Sequence, residues 1–314
     1  MSATLRPLPT CSTWTEPDVA TIRLATRGSA QATAQSDAVA DALRARGVEV
    51  ELLLVETTGD RRTDVPLHTI GGQGVFVKEV QRAVLDGRAD LAAHSAKDLP
   101  STPHPGLVIG AYCERRTAAD AMVGHHLAGL APGATVATGS VRRRAQLAAA
   151  RPDLTFVELR GNIPTRLEKV PAQGAIVMAV AALEILGLTD RIDETLDVTR
   201  FVPAVGQGCV AVECRDDDPS TLELLRAVDH APSRRQVELE RAFLAELGSG
   251  CSMPVGAHVR GELLHTFLAP EPDDRSARRV PPVQDVVELT GDHPHDLELA
   301  RRAAVAARVA VAGS

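Results

Sequence analysis

Ala134-Thr135-Val136-Ala137-Thr138-Gly139-Ser140-Val141-Arg142-Arg143-Arg144 joins a short apolar run to a helical stretch, with three consecutive arginines at the joint. Leu159-Arg160-Gly161-Asn162-Ile163-Pro164-Thr165-Arg166 repeats the arrangement, and Ala25-Thr26-Arg27-Gly28-Ser29 has it near the start. Strands that feed helices through Gly/Ser turns are the repeating unit of a parallel α/β sheet. Guanidiniums beside free helix N-terminal amides form a socket for carboxylate or phosphate. One such cluster could equally top a solvated helix. Three at equivalent positions point to a ligand with many negative charges.

The alternation extends in both directions from this stretch. Thr21 to Ala25 reads as a strand, Ser29 as the cap of a helix ending near Gly47, and Glu49 to Val55 as the next strand. A turn-rich loop runs through Gly71-Gly72-Gln73-Gly74, a helix spans Phe76 to Leu85, and strands follow at Ala89 to Ala93 and Leu107 to Tyr112. The pattern restarts near Ala119, with strands at 134–137, 155–159 and 175–178 and helices from 141 and after Asn162. A Gly-rich crossing segment, Phe201 to Gly208, leads to an apolar strand, Cys209 to Cys214, that can return to the first sheet. Two α/β lobes joined by two crossovers make a hinged cleft, with ligands at the strand C-terminal ends. From about Asp229 the pattern changes to an amphipathic helix (233–248), β-like segments to about Leu289, and an Ala-rich helix from Leu297 to Ala312. The predicted division is a disordered leader at 1–20, a first lobe at 21–115 with 209–226, a second lobe at 116–203, and a C-terminal α+β domain at 228–314.

Composition narrows the function. The chain has 314 residues, 44% of them hydrophobic, enough for two or three cores. A net charge of -7 with 2% aromatic residues argues against a general nucleic-acid binder, so the basic clusters are local tools. No apolar run reaches membrane-spanning length and the first residues lack a secretion signal, so the expected location is the cytoplasm. The five cysteines have neither disulfide-framework nor zinc-site spacing, and Cys113 and Cys214 read as buried in strands. His125-His126 and His293-Pro294-His295 read as loop residues, and no metal is expected.

Two places carry candidate chemistry. Lys97-Asp98 closes a buried strand, either as a structural ion pair or as a carboxylate facing the cleft. Such a carboxylate can hold a cationic intermediate, accept N–H hydrogen bonds and relay a proton. Cys251 lies in Leu247-Gly248-Ser249-Gly250-Cys251-Ser252-Met253-Pro254-Val255-Gly256, an exposed loop. It is either inert or a covalent anchor, since nothing pairs it with His258 as a dyad.

These segments resemble the porphobilinogen deaminase (hydroxymethylbilane synthase) family. The matching stretches are Leu24 to Ser29, Gly71 to Glu79, Ala89 to Pro100, Thr138 to Arg143, Leu159 to Asn162, Pro203 to Gly208 and Gly250 to Gly256, in family order. The resemblance implies an enzyme that condenses four porphobilinogen molecules head to tail into hydroxymethylbilane, releasing ammonia, in porphyrin and heme biosynthesis. It implies a dipyrromethane cofactor held by a thioether to Cys251, on which a polyanionic chain grows. It assigns Asp98 to catalysis, where it would contact pyrrole nitrogens and stabilise the azafulvene cation. Lys97, Thr138, Ser140, Arg142 and Arg143 would hold the cofactor, and Arg27, Ser29, Arg160 and Arg166 the substrate carboxylates. Phe76 would cover the cleft as a lid, although core packing explains it equally. The fold class is α/β: two periplasmic-binding-protein-like lobes with mixed, mainly parallel sheets, plus a small C-terminal α+β domain. A monomer is expected, with hand-over of product to uroporphyrinogen-III synthase.

Two positions depart from the family pattern, which often has lysine at Gln73 and arginine at Ile185. Arg144 or Arg61-Arg62 would then compensate, or elongation slows. Competing readings are a two-lobed binding module and a non-catalytic paralogue. The first has no use for a third domain with Cys251, and the second is opposed by the presence of both Asp98 and Cys251.

Overall fold

The computed structural model of the chain describes residues 21–57, 76–248, 253–270 and 281–313. Strand β1 (Thr21–Arg27) leads to helix α1 (Ala30–Arg44), then β2 (Glu49–Val55), α2 (Lys78–Leu85), β3 (Leu91–Ser95) and β4 (Leu107–Tyr112). The chain crosses to a second sheet through β5 (Asp120–Val123), followed by β6 (Thr135–Ala137), α3 (Val141–Ala150), β7 (Thr155–Val157) and α4 (Ile163–Leu167). This lobe continues with β8 (Ala175–Ala179), α5 (Val180–Glu184) and β9 (Glu194–Thr195). The return brings β10 (Val210–Arg215) and α6 (Pro219–Arg226). Helix α7 (Ala231–Leu247), strands β11 (Val255–Arg260), β12 (Leu263–Leu268) and β13 (Val283–Glu288), and helix α8 (His293–Ala312) complete the order.

The first sheet is ordered β2-β1-β3-β10-β4 and the second β7-β6-β8-β5-β9. In the first, β1 runs parallel to β2 and β3, while β10 is antiparallel to β3 and β4. In the second, β6 is parallel to β7 and β8, while β5 is antiparallel to β8 and β9. Each sheet therefore has one reversed strand, the one by which the chain enters after crossing over. The sheets are mixed and mainly parallel, as the sequence predicts. Strand β3, Leu-Ala-Ala-His-Ser, is buried over its first four residues, the near-continuous run of a central strand covered on both faces. Helices start where strands end: Ser29 accepts from the Ala32 amide at 3.3 Å, Ser140 from Arg143 at 3.4 Å and Asn162 from Thr165 at 3.0 Å.

The two crossovers run side by side. The Cys113 amide donates to the Val210 carbonyl at 2.9 Å, and Arg116 to Gly208 at 2.9 Å. Gly208 has φ +86°, and a Cβ there would sit 2.6 Å from the Arg116 carbonyl oxygen, so only glycine fits. The C-terminal unit packs α7 and α8 on the three-stranded sheet around Leu239, Phe243, Leu264, Ala300 and Ala304.

Some expectations need correction. His293-Pro294-His295 is not a loop: it forms the first turn of α8, capped by Asp292, with proline where a helix start tolerates it. His293 Nε2 meets Glu238 Oε2 at 3.0 Å. The strand expected at Ala89 to Ala93 spans Leu91–Ser95, so Lys97 and Asp98 occupy a 3-10 turn, Ala96–Asp98, immediately beyond it. Strand β5 and helices α5 and α6 were not anticipated. The leader read at 1–20 lies outside the described residues.

Candidate active site

The Ala96–Asp98 turn is fixed from several directions. The Ala96 amide donates to the Cys209 carbonyl at 2.9 Å, which ties the turn to the returning crossover. Gly206, at φ +70°, lies so close that a Cβ would meet Ala96 Cβ at 3.0 Å and the Lys97 nitrogen at 3.3 Å. Arg241 of α7 donates through Nη2 to the Pro100 carbonyl at 2.7 Å, just past the turn.

Across from it stand the arginines of the second lobe. Arg142 and Arg143, in the first turn of α3, are 4% and 9% exposed, which rules out a solvated helix top for both. Their guanidiniums converge on Asp120 at the head of β5, at 2.9 and 2.8 Å. Burial would raise the Asp120 carboxyl, but the two guanidiniums outweigh it and hold the group well below the usual carboxylate range. Arg142 also donates to the Val202 carbonyl at 2.7 Å, and Arg143 to that of Val177 at 3.1 Å. Arg144 instead lies outside, its guanidinium 5.9 Å from the Phe156 ring.

The two lobes share one electrostatic field. Burial pushes the Lys97 ammonium from 10.5 to about 8; Arg143 and Arg142 push it the same way, and Asp98 and Asp120 oppose. Arg166 is pushed down to about 10 by burial and by repulsion from Arg143 and Arg160, with Asp98 opposing. Lys97, Asp98, Arg142, Arg143, Arg160 and Arg166 therefore lie within range of one another's charge, although they come from both lobes. Lys97, Arg142, Arg143, Arg160 and Arg166 outnumber the carboxylates of Asp98, Asp120 and Glu158. A surplus of half-desolvated cations is stabilised by a ligand that brings several carboxylates.

The remaining predicted residues lie around this centre. Thr138 follows β6 and accepts from the Ser140 amide at 3.2 Å, while Ser140 caps α3. Arg27 ends β1 and Ser29 follows it; β1 pairs in parallel with β3, so they lie at the same C-terminal end of the sheet as Lys97. The Arg27 guanidinium lies over the half-buried Phe76 ring at 4.1 Å. Ile185 is the partly buried C-cap of α5. Cys251, Gln73 and Arg61-Arg62 lie outside the described residues. Close to Cys251 in sequence, a Cβ at Gly256 would meet the Val202 carbonyl oxygen at 2.8 Å, and the Ala257 amide donates to the Pro203 carbonyl at 3.1 Å.

Sequence reasoning missed Asp120, Gln207 and Glu240. Asp120 also stands beside an apolar run, but without the neighbouring lysine that drew notice to Lys97-Asp98. Gln207 is 1% exposed between two glycines of positive φ. Its Nε2 donates to Ala118 O at 2.7 Å and Asp120 Oδ1 at 2.8 Å, and its Oε1 accepts from Lys97 Nζ at 3.4 Å and Arg143 Nη2 at 3.3 Å. Glu240 of α7 accepts from Arg115 at 2.6 and 3.0 Å, the Gly206 amide at 2.8 Å and the Val259 amide at 2.9 Å. Burial opposes its ionisation, but Arg115 and the His258 hydrogen bond prevail and hold its carboxyl at about 2.

Two α/β lobes that bring Asp98 and Asp120 into a surplus of cations are the class of arrangement that can take up a polycarboxylate. The chain belongs to the porphobilinogen deaminase family. The model for porphobilinogen deaminase, dipyromethane cofactor binding domain, matches residues 22–223, and that for the family's C-terminal domain matches residues 235–276. It is 48% identical over 244 residues to the porphobilinogen deaminase of Nitratidesulfovibrio vulgaris (strain DSM 19637 / Miyazaki F), covering 75% of this chain and 77% of that protein. With the porphobilinogen deaminase of Thermobifida fusca (strain YX) it shares 50% identity over 245 residues, 76% of each chain. Among solved structures it is similar to the methionine-binding protein MetQ, at a TM-score of 0.42 and 14% identity, over 72% of this chain and 94% of that one. Membership makes the chain a transferase, a hydroxymethylbilane synthase of tetrapyrrole biosynthesis that acts on porphobilinogen with a dipyrromethane cofactor. The site's donor set fits that cofactor, whose pyrrole rings carry carboxylates. Among the described residues no helix is long and apolar enough to cross a membrane.

Proposed function

We propose the following division of labour for condensing four porphobilinogen molecules. Asp98 is the catalytic carboxylate, stabilising the cation left when ammonia departs from a substrate pyrrole and relaying the proton of the ring that attacks it. Lys97, Thr138, Ser140, Arg142 and Arg143 hold the cofactor carboxylates, and Arg27, Ser29, Arg160 and Arg166 those of substrate and growing chain. Cys251 is the attachment point, and Phe76 with Arg27 covers the entrance. When bound, dipyrromethane supplies the primer to which pyrrole units are added. The lobes divide at residues 115–116 and 203–209, with the C-terminal domain from 228 carrying Cys251. The enzyme acts in the cytoplasm as a monomer and passes its product to uroporphyrinogen-III synthase.

The observation that supports this reading best is the shared field of Lys97, Asp98, Arg143 and Arg166, drawn from two lobes and buried enough to push Lys97 down to about 8. Each charge-assisted contact to a carboxylate is worth roughly 1.5–3 kcal/mol, so several together can hold a polyanion. The test pairs mass with turnover. Intact mass should show an adduct of two pyrrole units, absent in Cys251→Ala. Asp98→Ala should stay folded and lose nearly all turnover. An unmodified mass from cells making porphobilinogen, or parent-like product formation by Asp98→Ala, would overturn the reading in favour of a non-catalytic paralogue.

A further inference from the structure

We propose that Gln207 is a positioning residue: its amide aims Lys97 of the first lobe and Arg143 of the second at one shared carboxylate oxygen of the pyrrole chain. This rests on the reading that Lys97 and Arg143 bind carboxylates.

The two ends of the amide are held unequally. Nε2 is fixed by short bonds, 2.7 Å to the Ala118 carbonyl and 2.8 Å to Asp120 Oδ1. Oε1 offers itself to two cations at longer range, 3.4 Å to Lys97 Nζ and 3.3 Å to Arg143 Nη2. The nitrogen is therefore an anchor, and the oxygen a weak acceptor on which two donors from opposite lobes converge. A carboxylate oxygen is a stronger acceptor than an amide oxygen for the same donors. A ligand carboxylate would draw both cations from Oε1 without reorienting either.

The backbone keeps the amide in place. Gly206 and Gly208, at φ +70° and +86°, flank Gln207, one packed on the Ala96–Lys97 turn and the other on the Arg116 carbonyl. The Gln207 carbonyl accepts from Arg115 Nε at 2.9 Å. The residue therefore belongs to the returning crossover and is bonded to the outgoing one. If the crossovers shift as the lobes move, the point at which Lys97 and Arg143 converge shifts with them. The groups facing Lys97 are Asp98 on its own turn, Gln207 on the crossover, Asp120 on β5, and Arg142 and Arg143 on α3.

The test uses cofactor-loaded enzyme with Gln207→Met, Gln207→Glu and, as a reference, Lys97→Met. Steady-state rates against pH and the masses of enzyme-bound intermediates are measured after thermal unfolding establishes that each variant is folded. Gln207→Met should lower kcat about tenfold with little change in KM, the effect of losing roughly one 1.4 kcal/mol contact to the tethered pyrrole chain. It should move the alkaline fall in kcat to lower pH, because the Lys97 ammonium loses an acceptor. Gln207→Glu should also lower kcat, since its carboxylate competes for the same cations, but should move that fall to higher pH. A purely structural role would move neither limb. Gln207→Asn, which retains a shortened amide, replaces the Met variant if that fails to fold, with the same loss expected. Parent-like kcat and pH profiles in folded Gln207 variants beside an impaired Lys97→Met would sink the proposal alone. A parent-like Lys97→Met would sink the carboxylate-binding reading, and the proposal with it.

Discussion

Lys97 sits where three pressures meet. Burial and the Arg142–Arg143 pair favour its neutral form, while Asp98 and Asp120 favour the ammonium. Its folded value of about 8 lies below the ordinary 10.5, so the folded state holds fewer protons than the unfolded chain between those limits. Stability contributed by this group therefore rises with pH from about 8 to 10.5, and the cost of burying the charge is fully felt below about 8. If Lys97 holds a cofactor carboxylate as proposed, function runs the other way, because only the ammonium grips a carboxylate. With the cofactor tethered, kcat should consequently fall above about pH 8 while thermal stability does not. Lys97→Arg should shift that fall to higher pH, and a kcat flat across the interval in the parent enzyme would refute the assignment. Not every such residue was legible in the sequence. Lys97-Asp98 stood out because charges at the end of an apolar strand need a reason. The pairing of Arg142 and Arg143 with Asp120 did not stand out, because the partners are more than twenty residues apart and no local pattern joins them.

Elements show the same division between local and distant information. Strands β2 and β4 have the bounds expected from sequence, since each is a single apolar run between turn residues. Helix α5 was invisible because it follows β8 without a linker: residues 175–183 are apolar up to Glu184, and periodicity cannot separate the strand from the helix. Strand β5 is four residues long and runs against its neighbours, a direction that only the crossover decides. Helix α7 was legible as an amphipathic helix, but its role was not. Through Glu240 it touches the outgoing crossover at Arg115, the returning one at Gly206, and β11 at Val259. Removing one partner of a buried ion pair leaves the other uncompensated, so Glu240→Ala should cost about 3–5 kcal/mol by denaturant unfolding. A double-mutant cycle with Arg115→Met should recover much of that loss, and additive costs would show that the pair is not coupled. The Glu240 carboxyl lies depressed at about 2, below its ordinary 4.5, so its contribution is present above about pH 4.5 and disappears as pH falls through 2.

At the scale of the whole molecule the returning crossover packs on both the outgoing crossover and the Ala96–Asp98 turn, and its two glycines separate those contacts. Both have left-handed φ, so an alanine at either position is strained by about 1–3 kcal/mol before any clash. The clashes differ in target. A Cβ on Gly208 would press on the Arg116 carbonyl at 2.6 Å and push the crossovers apart. A Cβ on Gly206 would press on Ala96 and the Lys97 nitrogen, at 3.0 and 3.3 Å, and displace the turn that carries Asp98. Gly208→Ala should therefore lower the unfolding temperature more than Gly206→Ala does. Gly206→Ala should lose more turnover per folded molecule if Asp98 is the catalytic carboxylate proposed above, because misplacing such a group by a fraction of an ångström is costly. The measurement is the pair of unfolding temperatures beside kcat and the masses of enzyme-bound pyrrole intermediates. Equal losses of kcat in the two folded variants would mean that lobe geometry, not the position of the Asp98 turn, limits condensation. A folded Gly206→Ala with parent-like kcat would mean that the turn tolerates displacement and that the close approach of the crossover serves packing alone.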